Sequence, residues 1–137
     1  MNYFFPGGTT EIENTVPGNT INVYFGNNIT LKWKIYNLQE DVIKIYSGYS
    51  KDVLGSVNIS RLSHAYTKLE NLNNKNRLSS RVNGFKLKLF DGNGTMELSL
   101  EQLKISDSGY IDVIAIGSGR VKAQSRLKFN VEGTNEL

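Results

Sequence analysis

The residue types that could do chemistry in this chain are few and scattered. His64 is the single histidine and there is no cysteine, so thiol nucleophiles, thiolate-held zinc, disulfides and histidine-based triads are excluded by composition. The polar neighbours of His64 place it in a solvated loop. Asp91-Gly-Asn93-Gly-Thr95 has the opening spacing of a calcium loop, but Met96 stands where the sharp turn needs glycine and no glutamate closes the loop. A hairpin turn accounts for it. Gly117-Ser-Gly119 leads from one strand pattern into another, so it lacks the helix N-terminus that a phosphate loop requires. Glu11 with Glu13, and Asp41 with Asp52, lie in polar segments, whereas general acid–base work needs burial or a specific partner. No catalytic, metal-binding or cofactor-binding residues are expected, and the chain reads as a binding module, not an enzyme. Sequons at Asn28, Asn58 and Asn93 are glycosylation candidates and, if used, imply a secreted or surface-exposed glycoprotein.

The elements that must position any binding surface are strands. Ile29-Thr-Leu31-Lys-Trp33-Lys-Ile35 alternates apolar and polar over seven residues, which turns Ile29, Leu31, Trp33 and Ile35 to one buried face and the lysines to water. Ile21–Phe25, Val42–Tyr46, Phe85–Leu89, Met96–Leu100, Tyr110–Ile116 and Val121–Val131 carry related patterns, with Val53–Val57 as a short edge strand. Asp91–Gly94 and Gly117–Gly119 are the turn signals between the last four. Residues 60–83, rich in asparagine, read as a long loop with one small strand or a helical turn. Eight or nine short strands without an amphipathic helix predict an all-β fold, a two-sheet antiparallel sandwich. Residues 1–19, with Pro6-Gly7-Gly8 and Pro17-Gly18, read as an extended lead-in with at most one short edge strand; 20–132 form the domain and 133–137 a linker.

Composition agrees with one ordinary domain. At 137 residues with 39% hydrophobic and 21% charged residues, the chain can bury a full-sized core. The net charge of +3 is spread along the chain without a dense basic block, so nucleic acid is not the expected partner. No apolar run is long enough for a membrane span, and any membrane attachment is expected through segments outside this chain.

Leu103-Lys-Ile-Ser-Asp107-Ser-Gly109-Tyr-Ile111-Asp-Val113 resembles the corner between strands E and F of a V-set immunoglobulin domain, with Ile111 and Val113 in the tyrosine and cysteine places. Gly26-Asn-Asn-Ile29-Thr-Leu31-Lys-Trp33 is similar to the family's strand B, with Trp33 in the first cysteine place, and Leu127-x-Phe129-x-Val131 looks like strand G. The resemblance covers residues 20–132 and implies a V-set immunoglobulin-like sandwich without its disulfide. It makes Trp33, Ile45, Asp107 and Val113 the structural residues: Trp33 packs against Ile45 and Val113 in place of the cross-link. Asp107 pairs with a cation at the start of strand D, Lys86 by spacing or Arg81 by type, and Tyr110 serves as corner tyrosine only through a one-residue shift. Cysteine-free domains of this kind occur in hydroid allorecognition receptors, which the Asn, Lys and Ile richness favours, and in the signalling lymphocytic activation family of adhesion receptors.

In that family partners usually meet the sheet made of strands G, F, C and C′. Period-2 alternation from Ile111, Val113 and Ala115 sends Asp112, Ile114 and Ile116 outward; Lys44 and Tyr46 follow on strand C, and Lys122, Gln124 and Arg126 on strand G if no bulge intervenes. These eight are the predicted partner-binding residues, an aliphatic centre with a charged rim. The resemblance implies a receptor ectodomain at the cell surface for adhesion or allorecognition, binding a like domain on an opposing cell homophilically. The alternatives are a carbohydrate-binding sandwich, for which Tyr24, Tyr36 and Tyr49 would supply platforms, and a structural spacer or surface-decoration domain.

Overall fold

A computed structural model describes residues 8–47 and 52–133. Ten strands build two sheets of five: β1 (Glu11–Asn14), β2 (Thr20–Tyr24), β3 (Ile29–Tyr36), β4 (Val42–Ser47), β5 (Asp52–Asn58), β6 (His64–Tyr66), β7 (Val82–Phe90), β8 (Asn93–Leu100), β9 (Gly109–Gly117) and β10 (Arg120–Glu132). One sheet has the order β1-β3-β8-β7-β6 and the other β2-β10-β9-β4-β5. In immunoglobulin lettering this is A-B-E-D-C″ against A′-G-F-C-C′, and the architecture is an immunoglobulin-like sandwich without a disulfide. The pairing is antiparallel throughout except for β2, which runs parallel to the lower half of β10.

The alternation in β3 is realised: Leu31, Trp33 and Ile35 are buried, Ile29 at the start of the strand is half-buried against the same core, and the lysines between them are exposed. Leu87 and Leu89 of β7, Met96, Leu98 and Leu100 of β8, Ile43 and Ile45 of β4 and Leu127, Phe129 and Val131 of β10 complete one core between the sheets. Met96 is fully buried there, which removes any calcium-loop reading of Asp91–Thr95. Asp91 and Gly92 instead sit at φ of 52° and 83°, and Ser118 and Gly119 at 52° and 73°, the pair of positive φ values that a two-residue type I′ hairpin requires. A Cβ at Gly94 would run into the Lys88 carbonyl, so only glycine lets β7 and β8 close up beside their turn.

Within the expected lead-in, β1 pairs with β3 as an edge strand and adds Ile12 to the core. The stretch 60–83 contains both the small strand β6 and a 3-10 turn, Arg77–Arg81. Its asparagines are structural. Asn76 is buried: its side-chain oxygen accepts from the Leu78 amide and the Ser47 hydroxyl, and its Nδ2 donates to the Asp52 carbonyl. Asn73 bonds the carbonyls of Leu54 and Val53, so this loop covers an edge that β5 would otherwise expose.

Trp33 lies in the core between the sheets. It is completely buried with Ile45 and Val113, which lie directly opposite one another on β4 and β9. The indole Nε1 has no hydrogen-bond partner among the described residues, so the ring acts by packing and carries the desolvation cost of its N–H, about 1–3 kcal/mol. At the corner, Asp107 pairs with Arg81 and not with Lys86, whose side chain points to solvent on β7. Ile111 is in the core, while Tyr110 lies half-buried beneath the Arg126 guanidinium.

Candidate protein-recognition face

The outer surface of β10-β9-β4 carries the predicted partner-binding residues in cross-strand ranks. Tyr46, Asp112 and Arg126 are aligned across the three strands, and Lys44, Ile114 and Gln124 form the next rank. Beyond them lie Val42, Ile116 and Val121. The ranks are separated by about 7 Å, two residues of strand rise. The face therefore grades from charged at one end to wholly apolar at the end nearest the Ser118-Gly119 turn.

The charged end is rigidly built. Arg126 donates from Nε to one Asp112 oxygen at 2.8 Å and from its terminal nitrogen to the other at 3.0 Å, a two-point fork. Its guanidinium carbon also lies 4.5 Å above the Tyr110 ring. Hydrogen bonding to Asp112, and secondarily its charge, raise the Arg126 pKa above its ordinary value, so the cation persists at any working pH. Asp112 is buried beneath this arrangement although it points outward from the sheet.

Two expectations for the face are corrected. Ile114 is not an exposed anchor: it is only 8% exposed, yet it lies outside the core between the sheets. Flanked across the strands by Lys44 and Gln124, it is shielded within the outer surface itself. Lys122 is exposed but falls outside the cross-strand ranks. The register steps from Val121↔Ile116 to Ala123↔Ala115, which leaves Lys122 as an unpaired bulge residue. The bulge turns Val121 onto the face, where it is 54% exposed beside Ile116. Lys44, Tyr46 and Ile116 are half-buried, and Gln124 and Arg126 are exposed.

Val42, Tyr110 and Val121 are members of the face that the pattern did not single out. Val42 was legible, since it shares the phase of Lys44 and Tyr46 on one regular strand. Val121 was not, because a bulge leaves no mark in an apolar-polar pattern.

The remaining candidates are separated. The sequon asparagines are all exposed, but their side chains are engaged: Asn28 accepts from the Gln102 amide, Asn58 donates to Glu70, and Asn93 links the Asn37 amide to the Asp91 carbonyl. Tyr24 ends β2 and Tyr36 ends β3, in different sheets and at opposite ends of the sandwich, so they form no common platform. Tyr49 lies outside the described residues. Among the described residues no group of acidic or histidine side chains could hold a metal ion, and no helix is long and apolar enough to cross a membrane. No protein-family model and no curated protein matches the chain.

Proposed function

We propose that this is an extracellular recognition domain of an adhesion or allorecognition receptor, and that it binds a like domain on an opposing cell through the β10-β9-β4 face. The observation that carries the reading is the apolar rank Val42–Ile116–Val121 on an outer sheet surface, bordered by the Lys44–Ile114–Gln124 rank with Tyr46 and the Arg126–Asp112 fork beyond it. An apolar patch rimmed by polar groups is the anatomy of a protein interface, and Tyr and Arg are the types most often dominant in one.

The gradient along the face favours self-association of one geometry. A two-fold axis through the apolar rank lays Val42, Ile116 and Val121 on their own copies and leaves the charged ranks at the rim, whereas an axis through Ile114 would press apolar residues onto charges. Burial in the membrane and nucleic-acid recognition find no comparable surface on this side of the sandwich.

Beads coated with the domain should cluster, and Ile116→Asp or Val121→Asp beads should not, with thermal unfolding unchanged for Val121→Asp. Clustering that persists undiminished in both variants would rule the face out.

A further inference from the structure

Phe90 ends β7 at the hairpin and is 78% exposed, the highest value of any large hydrophobic residue among the described ones. Leu87 and Leu89 are buried and Lys86 and Lys88 exposed, so the strand's alternation turns Phe90 onto the outer surface of the β1-β3-β8-β7-β6 sheet. Directly opposite, across the Asp91-Gly92 turn, stands Asn93, the acceptor of the sequon Asn93-Gly94-Thr95. Residues so opposed on antiparallel strands put their side chains on one face, with Cβ atoms about 5 Å apart. Phe90 has no ring contact among the described residues.

The Asn93 amide is already aimed. Its Oδ1 accepts from the Asn37 amide at 3.0 Å, beside the end of β3, and its Nδ2 donates to the Asp91 carbonyl at 3.2 Å, on the side of the turn. A glycosylated asparagine keeps one hydrogen on Nδ2, so both bonds are compatible with a sugar on that atom. The other sequons have no such arrangement. Phe25 precedes Asn28 by the same three residues, but a Cβ added at Gly133 would meet Phe25 Cδ2 at 2.6 Å, so that ring is laid against the end of β10. Asn58 stands opposite Val42, within the apolar rank of the recognition face.

The geometry points to Asn93 as an N-glycosylation site whose first N-acetylglucosamine lies on the Phe90 ring. This rests on the extracellular reading above, because the donor, a lipid-diphosphate oligosaccharide, belongs to the secretory pathway. Transfer to the still unfolded chain forms the bond from Nδ2 to sugar C1 and breaks the bond from C1 to the diphosphate oxygen; the lipid diphosphate leaves and one Nδ2 proton is released. On folding, the C–H face of the pyranose meets the electron-rich face of the ring, while the sugar hydroxyls stay in water. The glycan occupies the sheet surface opposite the β10-β9-β4 face and leaves that face open.

The test uses the domain carrying Thr30→Val and Ser60→Ala, which remove the other two sequons and keep their asparagines. Directed to the secretory pathway of eukaryotic cells by an added signal peptide and trimmed by an endoglycosidase to one N-acetylglucosamine, it should carry that sugar at Asn93 by mass spectrometry. Its melting midpoint should exceed that of the same protein made in bacteria by about 2–4 °C. Phe90→Ala should abolish this increment while scarcely moving the midpoint of the bacterial protein, and it should remove the upfield ring-current shift of the sugar protons. A bare Asn93, or an increment that survives Phe90→Ala, would overturn the proposal. So would a marked fall in the midpoint of bacterial Phe90→Ala, since the ring would then already be covered by the protein itself. Occupancy and melting are read without a binding partner, so their failure strikes the glycan site alone, and the recognition face stands or falls by bead clustering.

Discussion

Arg81 donates its Nε to Oδ2 of Asp107 at 2.9 Å, joining the start of β7 to the turn before β9. The carboxylate is wholly inside, and the arginine side chain is 17% exposed. The same oxygen accepts from the Lys104 amide at 2.8 Å, so one buried atom holds both the ion pair and the turn Ile105–Asp107. Oδ1 has no partner among the described residues, which makes the pair's remaining bonds matter more.

Removing the cation strands that charge. Arg81→Ala is expected to cost about 3–5 kcal/mol in urea unfolding, because an unpaired carboxylate is left inside. Adding Asp107→Ala should restore part of the loss. A double-mutant cycle with no coupling energy would show that the pair is incidental to the corner.

Trp33 holds the centre of a core that has no disulfide. Trp33→Ala should lower stability by about 3–5 kcal/mol, in line with large-to-small changes at buried aromatics. Trp33→Phe should cost only about 1–3 kcal/mol, since it keeps an aromatic ring and eliminates the orphaned Nε1–H. Denaturant midpoints of the two variants that coincide would contradict an account based on packing.

The bulge at Lys122 makes a prediction about register. Deleting Lys122 leaves Val121 opposite Ile116 and Ala123 opposite Ala115, as they are now, so the domain should fold with little loss of thermal stability. Deleting Gln124 instead consumes the bulge and brings Lys122 opposite Ala115 on the inward side, with Ala123 turned outward. A marked fall in the melting temperature is expected for that deletion alone.

Ile114 and Val121 should behave oppositely when made acidic. Val121→Asp is expected to change stability by less than about 0.5 kcal/mol, as surface substitutions do. Ile114→Asp places a charge where 8% of the residue is exposed, and it should unfold the domain or cost more than about 3 kcal/mol. Circular dichroism melts of the two proteins decide the matter, and they also show which variant is fit for testing adhesion.

The sequence by itself determined the sandwich and the inward phase of its regular strands. Ile29 to Ile35 and Phe85 to Leu89 alternate without interruption, and water on one side of a sheet and core on the other is enough to impose that phase. Turn residues were equally legible, because Asp91-Gly92 and Ser118-Gly119 supply the positive φ that a tight hairpin demands. Three other features were decided only by the tertiary structure. The partner of Asp107 was undetermined between Lys86 and Arg81, because a long-range contact depends on how the chain between 60 and 83 folds back, and its asparagines have no period. The placing of Lys122 and Val121 depended on a bulge, which arises from the twist and closure of the sheet and not from any local preference. The shielding of Ile114 depended on its neighbours in two other strands. Outward phase is a property of one strand, but exposure belongs to the whole surface, and only the assembled sheets set it.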